Sequence, residues 1–593
     1  MARNADHTGI QFRVLNTRKG PAVQATRVQC DKTAYGVRMA AVVGTTANLE
    51  LVEATASGVW VEGGRLRGVK VLGGEIVGRS VVLAPGTFLN GRIFIGHESR
   101  PGGRIGEKAA LELAASLKGL GFRLGRLKTG TPPRLHKDSI DYHAMQEQPG
   151  LDPPPLFSAV ARRELALFHV EHLRIADWGL RIADCEASGR SGVSPALRNP
   201  HSEIRNAQMF HVEQGGNGPL RPWPVGAEQM PCYLTHTTSR THQIIRENLA
   251  KSALYGGLIE GTGVRYCPSI EDKVVKFPQH ESHHVFIEPE GRAAREIYPN
   301  GTSNSLPEDV QTEIIHSIPG LERAVLIQPG YGIEYDFSDP VQLTHTLETK
   351  LVEHLYLAGQ LNGTTGYEEA AGQGFVAGVN AVLKLRGSEA LVLGRNEAYI
   401  GVLIDDLVTK GTNEPYRMFT SRAENRLILR QDNALYRLCD HADRLGIIST
   451  SDIAQRRIQM AEIDREIGRL RGEFLDGSSL AQILRRPEMT YARLPGREEV
   501  SEEVARQVEV RTKYEGYIER ELRLAARSRR VEQQIIPASI DYDAIRAMRF
   551  EAREKLKQVR PENLGQASRI SGVNPTDIAI LSLWISRGRG GVR

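Results

Sequence analysis

Apolar and polar positions alternate along residues 58–71, GVWVEGGRLRGVKV, on either side of Gly63-Gly64. That is the pattern of a two-stranded hairpin closed by a glycine turn. The apolar run at 80–84, SVVLA, predicts a short buried strand that breaks at Pro85-Gly86. In residues 107–118, EKAALELAASLK, apolar positions recur at helical spacing and stop at Gly119, a residue suited to ending a helix. Residues 354–358, HLYLA, read as another short strand. The turn GQLNGTTG follows over 359–366, and then a helix rich in small residues, EEAAGQGFVAGVNAVLKL. Beyond about residue 400 glycines thin out and charges alternate at helical spacing over 452–472 and 502–534. The expectation is a mixed α/β body followed by a helical region over 401–593.

Residues 159–228 interrupt this texture. FHVE occurs at 168–171 and again at 210–213, and LRIAD at 173–177 and 180–184. Without clear periodicity, the stretch reads as an inserted, poorly ordered loop.

The chain has 593 residues, more than one hydrophobic core holds, so two or three domains are expected. It has no apolar run of the ~18 residues that span a bilayer, and MARNADHTGIQF has no signal-like apolar core. The expected location is cytoplasmic, with no membrane partner. The five cysteines form no CxxC pair, which argues against a disulfide framework or a zinc site; no metal is expected. Net charge is +5, and residues 401–593 carry all of it, with 34 basic against 29 acidic side chains. A basic C-terminal third suits a polyanionic partner, although a solvated helical face gives the same count.

Four segments carry candidate chemistry. The strand–turn–helix at 354–378 aims a helix N-terminus at whatever lies beyond the strand, which favours negative charge on a phosphate or a reduced flavin ring. Gln360 and Asn362 stand where side chains reach ring edges; a tight strand–helix corner without a ligand is the plain alternative. Gly372, Gly374 and Ala377 spell GxGxxA but lie inside the helix, so they are not a dinucleotide fingerprint. In GVRYCPSIEDK, at 263–273, Cys267 sits in a loop near Arg265 and Lys273, the setting of a thiolate nucleophile or of a small buried residue. RLKTGTPPR at 126–134 offers Arg126, Lys128 and Arg134 for phosphate contacts, or for a solvated loop. PYRMFTSRAENRLILR at 415–430, with KYEGY at 513–517, interleaves Arg417, Arg422 and Arg426 with aromatics, as single-stranded RNA binders do and as surface salt bridges also do.

Taken in order, GIQFRVLNTRKGPAVQATRVQ, VVLAPGTFLNGRIFIG, RLKTGTPPR, PCYLTHT, GVRYCPSIEDKVVKF, PGYGIEYDF, AGQLNGTTGYEEAAGQG, EPYRMFTSRAENRL, VRTKYEGYI and LGQASRISGV resemble the flavin-subunit family of tRNA uridine 5-carboxymethylaminomethyl modification enzymes. The resemblance covers nearly all of the chain except 159–228. It implies an α/β, FAD-binding fold of the glutathione-reductase kind, an inserted NAD-related α/β domain and a C-terminal all-helical domain. The implied boundaries are 1–158 for an incomplete FAD-binding domain with the start of the insertion, 159–228 for the atypical stretch and 229–345 for the inserted domain. Residues 346–400 would return to the FAD-binding domain, and 401–593 would serve tRNA and a GTPase partner. FAD as cofactor, NADH and methylenetetrahydrofolate as co-substrates, a homodimer and wobble-uridine modification are implied with it.

Residue by residue, Gln360, Asn362 and Gly363 fall in the family's flavin turn, and Ala56 where its backbone meets the FAD adenosine. Gly263, Arg265, Tyr266 and Phe277 fall in its NAD segment. Cys267 falls on a cysteine given a nucleophilic role toward the uracil ring. Ala110 stands where the family usually has a serine near the flavin. Family members begin with a strand and a GxGxxG turn, which the resemblance places upstream of residue 1, together with a second important cysteine. Two other readings remain at this stage: a non-enzymatic tRNA- or GTPase-binding remnant, and a related folate- and FAD-dependent tRNA uridine methyltransferase, disfavoured by the long helical C-terminal region.

Overall fold

The computed structural model describes residues 1–165, 225, 228–263 and 268–589. Helix α1 (Ala2–Thr8) leads into an antiparallel ribbon, β1 (Gly9–Leu15) with β2 (Ala25–Cys30), and then helix α2 (Lys32–Thr45). The hairpin forms as β3 (Ala56–Glu62) and β4 (Arg65–Val71), with β5 (Gly74–Val77) completing a three-stranded sheet. Gly63 and Gly64 both take positive φ, 57° and 77°, as the tight turn requires.

Strand β6 (Val81–Leu83) runs parallel to β17 (Leu355–Leu357), with Val81, Val82 and Leu83 opposite Leu355, Tyr356 and Leu357. The helix expected from residue 107 begins later, as α3 (Leu111–Gly119). The residues before it are drawn into a loop: Gly102 N donates to Gly91 O and Ala110 N to Phe88 O. Gly121, at φ 92°, takes the left-handed position expected of Gly119. The small-residue helix is α7 (Tyr367–Leu385), and α8 (Tyr399–Lys410) packs against it. Leu83, Leu113, Leu117, Leu355, Leu357, Val376 and Ala377 share one core with Ile404 and Val408 of α8. Residues 401–410, expected with the helical region, therefore pack into the strand–turn body.

Two antiparallel sheets lie between these parallel strands in sequence. One has the order β8 (Glu98–Pro101), β7 (Arg92–Ile95), β16 (Tyr331–Ser338), β9 (Leu124–Thr131). The other has the order β11 (Gln146–Gln148), β12 (Cys232–His236), β13 (His284–Pro289), β14 (Glu296–Asn300), β10 (Arg134–His136), β15 (Leu326–Gln328). Helices α4 (Ser239–Asn248), α5 (Ile270–Lys276) and α6 (Glu308–His316) bury Ile244, Ile245, Ile270, Val274, Val310 and Ile314 together.

The C-terminal region contains α9 (Thr450–Gly472), α10 (Glu502–Lys513), α11 (Glu515–Glu532), α12 (Phe550–Val559), α13 (Leu564–Arg569) and α14 (Pro575–Arg589). The helical stretch expected over 502–534 forms two helices that meet at Tyr514 (φ −106°, ψ 16°). A minimal hairpin, Phe474–Leu475 with Ser478–Ser479, is the strand content of this region among the described residues. Ile463, Leu470, Leu484, Val504 and Val508 form one core; Tyr542, Ile545, Leu556, Leu564 and Leu581 form another, which also takes in Val341 of the body. Residues 159–165 are helical, with Arg162 paired to Glu503 and Arg163 to Asp452. Both copies of FHVE and LRIAD lie outside the described residues. No described helix is long and apolar enough to cross a membrane.

His283 begins the turn into β13. Its Nε2 is buried without a partner, and its ring lies 5.2 Å from that of His242. Burial, then the neighbouring His242, Lys273, His280 and His284, push it down to about 4. The unfolded ring takes its proton near pH 6.5. The neutral ring therefore costs the fold nothing above that value, and stability is lost as pH falls from 6.5 toward 4. His283→Gln should flatten the acid side of the stability profile; denaturant titrations from pH 7 to 4 with equal slopes in both proteins would contradict this.

Candidate active site

Strands β6 and β17 end side by side and point the same way, and open α/β sheets bind ligands beyond such ends. Beyond β6 the chain turns through Gly86–Phe88, and beyond β17 through Gly359–Asn362. Gly86, Gly359 and Gly363 have φ of 59°, 77° and 80°, a region in which glycine alone is unstrained. A Cβ on Gly86 would stand 3.3 Å from Gln360 Oε1, so half-buried Gln360 reaches across from one strand end to the other.

Asn362, expected at a ring edge, is turned inward and fully buried. Its Nδ2 donates to Leu357 O and to Gln373 Oε1, both at 2.8 Å. Gln373 Nε2 donates to Thr364 Oγ1, which donates to Gly359 O. Asn362 thus staples the turn to α7. Asn362 Oδ1 and Thr365 Oγ1 are buried without partners.

The segment after α8 grips this turn from outside. Tyr416 N donates to Gly363 O at 2.7 Å, and Thr365 N to Tyr416 O. A methyl on Gly363 would stand 2.5 Å from Thr412 Cγ2, so the Thr412 side chain packs directly on the turn. Glu369, one turn into α7 and 3% exposed, accepts from Met418 N at 2.9 Å and from Arg417 Nε at 3.2 Å. The Tyr416 hydroxyl donates to Asp406 Oδ2 at 2.9 Å; burial and then Asp406 push this phenol far up.

Asp406 is also paired with Arg395 (2.8 Å) and Lys410 (2.6 Å). Arg395 further holds Asp405 and Glu424. Asp405 binds His345 of the body and Arg569 of α13. Burial alone would raise the Asp405 carboxyl, but the hydrogen bond from His345 and the charge of Arg569 outweigh it and hold the group well below the carboxylate range.

Arg417 and Arg422, two of the basic residues expected on RNA, belong to this arrangement, and the others also meet partners within the fold. Arg422 lies over the Tyr416 ring, 4.2 Å from its centroid, and donates to Arg417 O; Arg426 Nε donates to Ala423 O. Arg126 spans Asp336 (2.8 Å) and Glu334 (2.7 Å). Glu334 Oε1 accepts from Glu260 N and Gly261 N, and Lys128 N donates to Thr262 O, so Arg126 and Lys128 fix the approach to Gly263. The Lys128 side chain is buried, with Cδ 3.6 Å from a Cβ on Gly263. Arg134 pairs with Glu290 and lies over Tyr298. Arg265, Tyr266 and Cys267 lie outside the described residues. Beyond them Phe277 caps α5 and is 42% exposed. A cavity of about 410 Å³, bounded by Thr262, Asp406, Lys410, Thr412, Tyr416 and Arg422, lies between the approach to Gly263 and the grip on the turn.

Ala56 opens β3 opposite Val71. Ala110 precedes α3; its N–H is bonded to Phe88 O and its carbonyl accepts from Asn90 N, which leaves it apolar contact to offer a ligand. Tyr416, Glu369, Gln373, Arg395, Asp405 and Asp406 escaped the sequence reading. The paired acids opening α7, at Glu368-Glu369, were the available signal for Glu369. Of the cysteines, buried Cys232 is pushed up to about 12 by desolvation and then by Glu288, which disfavours its thiolate.

A family model described as Glucose inhibited division protein A matches residues 1–171 and 205–389. Two more, described as the C-terminal helical domain and C-terminal helical bundle of the tRNA modifying enzyme MnmG/GidA, match 448–522 and 524–591. The tRNA uridine 5-carboxymethylaminomethyl modification enzyme MnmG of Geobacter metallireducens is 45% identical over 614 residues, an alignment covering 100% of this chain and 88% of the relative. The enzyme of that name from Geobacillus kaustophilus is 44% identical over 613 residues, covering 99% and 88%. The structure of Aquifex aeolicus GidA in its form I crystal superposes with a TM-score of 0.83 at 44% identity, covering 99% of this chain and 89% of that one.

Truncating Arg395 leaves two buried carboxylates short of a cation. Arg395→Ala should cost about 3–5 kcal/mol in urea unfolding; a loss below ~1 kcal/mol would mean that the cluster does not hold this region.

Proposed function

The chain belongs to the GidA family, and on that premise we propose that it is an FAD-dependent enzyme that modifies the wobble uridine of tRNA toward the 5-carboxymethylaminomethyl form. The observation that carries this reading is the pair of glycine turns at the ends of β6 and β17, bridged by Gln360 and gripped by Tyr416 and Glu369. The residues suit a flavin. Glycines at 86 and 359 hold positive φ, which keeps both turns tight at the strand ends, and Gln360 offers both a donor and an acceptor there. When bound there, FAD supplies reversible two-electron redox chemistry.

The chain's own residues do the rest. Gln360 orients the ring edge. Asn362, Gln373 and Thr364 keep the turn from relaxing. The N-terminus of α7 favours negative charge beside the turn, moderated by the Glu369 carboxylate. The polar cavity between Thr262 and Tyr416 receives the uracil base. Cys267 is the nucleophile: its thiolate adds to C6 of the uracil ring, the C5–C6 π pair moves to C5 and O4 as an enolate, C5 takes the new carbon, and loss of the C5 proton expels the thiolate. Gly263, Arg265, Tyr266 and Phe277 belong to the segment that meets NADH. Methylenetetrahydrofolate as one-carbon donor, a GTPase partner, a homodimer and a cytoplasmic location complete the reading.

Cys267→Ser should keep the flavin spectrum of desalted protein and lower uridine modification at least about 10³-fold. Gln360→Ala should lose flavin on desalting. Wild-type protein that retains no flavin from an excess of FAD, or a Cys267→Ser enzyme with full activity, would contradict the assignment.

A further inference from the structure

Helix α11, EGYIERELRLAARSRRVE, has acids and bases interleaved in sequence, yet the fold separates them. Glu515 pairs with Arg471 and Arg485. Glu521 accepts from Leu427 N and Ile428 N, and Glu532 pairs with Arg569. Three of the helix's four acids are thus committed to neighbouring elements. Arg520, Arg523, Arg527 and Arg530 are all exposed and make no ion pair or hydrogen bond among the described residues. Their spacing of three, four and three places them on one face, about one guanidinium per turn over roughly 15 Å. The buried residue of the helix, Ala525, lies on the opposite side. Glu519 stands at the edge of the stripe, and Tyr517, 66% exposed, flanks it.

Such a face has no use inside the fold. Four uncompensated guanidinium groups in a row repel one another and gain most from a partner that presents closely spaced anions. The exposed tyrosine beside them adds a stacking surface for a base. Glu521 ties the same helix to the backbone at 427–428, in the segment whose residues 416–418 grip the turn beyond β17, so the stripe is held in fixed relation to the candidate active site.

We propose that the Arg520–Arg523–Arg527–Arg530 stripe binds the phosphate backbone of the RNA substrate. This rests on the tRNA reading above and deepens it. It adds the free face of α11 to the arginines of 415–430, of which Arg417 and Arg422 also take part in the grip. A protein partner with an acidic surface is the competing occupant.

The test uses the full chain and fluorescently labelled tRNA, with affinity measured by anisotropy across a salt series. Arg523→Gln/Arg527→Gln is compared with Arg493→Gln/Arg497→Gln, which removes the same charge from exposed positions elsewhere in the helical region. All four arginines replaced are exposed, and thermal unfolding checks that both variants keep the wild-type midpoint. The stripe variant should bind tRNA at least about tenfold more weakly. Its slope of log affinity against log salt should fall by about 1.4–1.8 in magnitude, for two lost phosphate contacts. The control should stay within about twofold of wild type. Equal losses in both variants, or none in the stripe variant, would overturn the proposal. So would unchanged tRNA binding with lost binding of an acidic protein. Wild-type protein that binds no tRNA at all would instead overturn the functional reading beneath it.

Discussion

The buried charge cluster around Arg395 joins three parts of the molecule that sequence separates widely. Asp405 and Asp406, adjacent on α8, look in two directions: Asp406 to the Tyr416 hydroxyl and Lys410, Asp405 to His345 of the body and Arg569 of α13. Arg395 touches both and ties in Glu424. Burying so many charges is costly unless each is paired, so the cluster tolerates few other arrangements. Its structural effect is to fix where Tyr416 stands, and Tyr416 in turn fixes Gly363 and Thr365 through backbone hydrogen bonds. The shape of the turn beyond β17 is thereby tied to the docking of the C-terminal bundle.

The same economy explains the distribution of basic residues. Arg126 on β9, Arg134 on β10 and Arg417 in the segment after α8 are drawn onto carboxylates of neighbouring elements. Arg126 holds the loop at 260–261 through Glu334, Arg134 holds Glu290, and Arg417 holds Glu369. On α11 the reverse occurs. Regular helix geometry sends acids at 515, 521 and 532 to partners and leaves four arginines facing solvent.

Local periodicity made the hairpin at Gly63-Gly64, strands β6 and β17, and helices α7 and α9 legible, since each is specified by its own pattern. The start of α3 was not legible, because residues 102–110 are captured by hydrogen bonds to Phe88 and Gly91, contacts that no local pattern announces. Assignment of 401–410 to the body was missed for a similar reason: a change of texture near residue 400 does not say which core a helix joins. In the site, Gln360 was readable from the turn it occupies. Asn362 was misread because a buried amide that closes a turn and an exposed amide that meets a ligand look alike in sequence. Tyr416 gave no signal of its own in the sequence, because its backbone and hydroxyl serve the turn through contacts that no local pattern announces.

The central claim is that the Arg395 cluster shapes the turn beyond β17 through Tyr416. Amide hydrogen exchange in Asp406→Asn, compared with wild type, tests it most directly. Faster exchange should appear together at 359–366 and 411–430, with the β12–β13–β14 sheet unchanged. Faster exchange at 411–430 with the turn as protected as in wild type would show that the turn keeps its shape unaided, and would contradict the account.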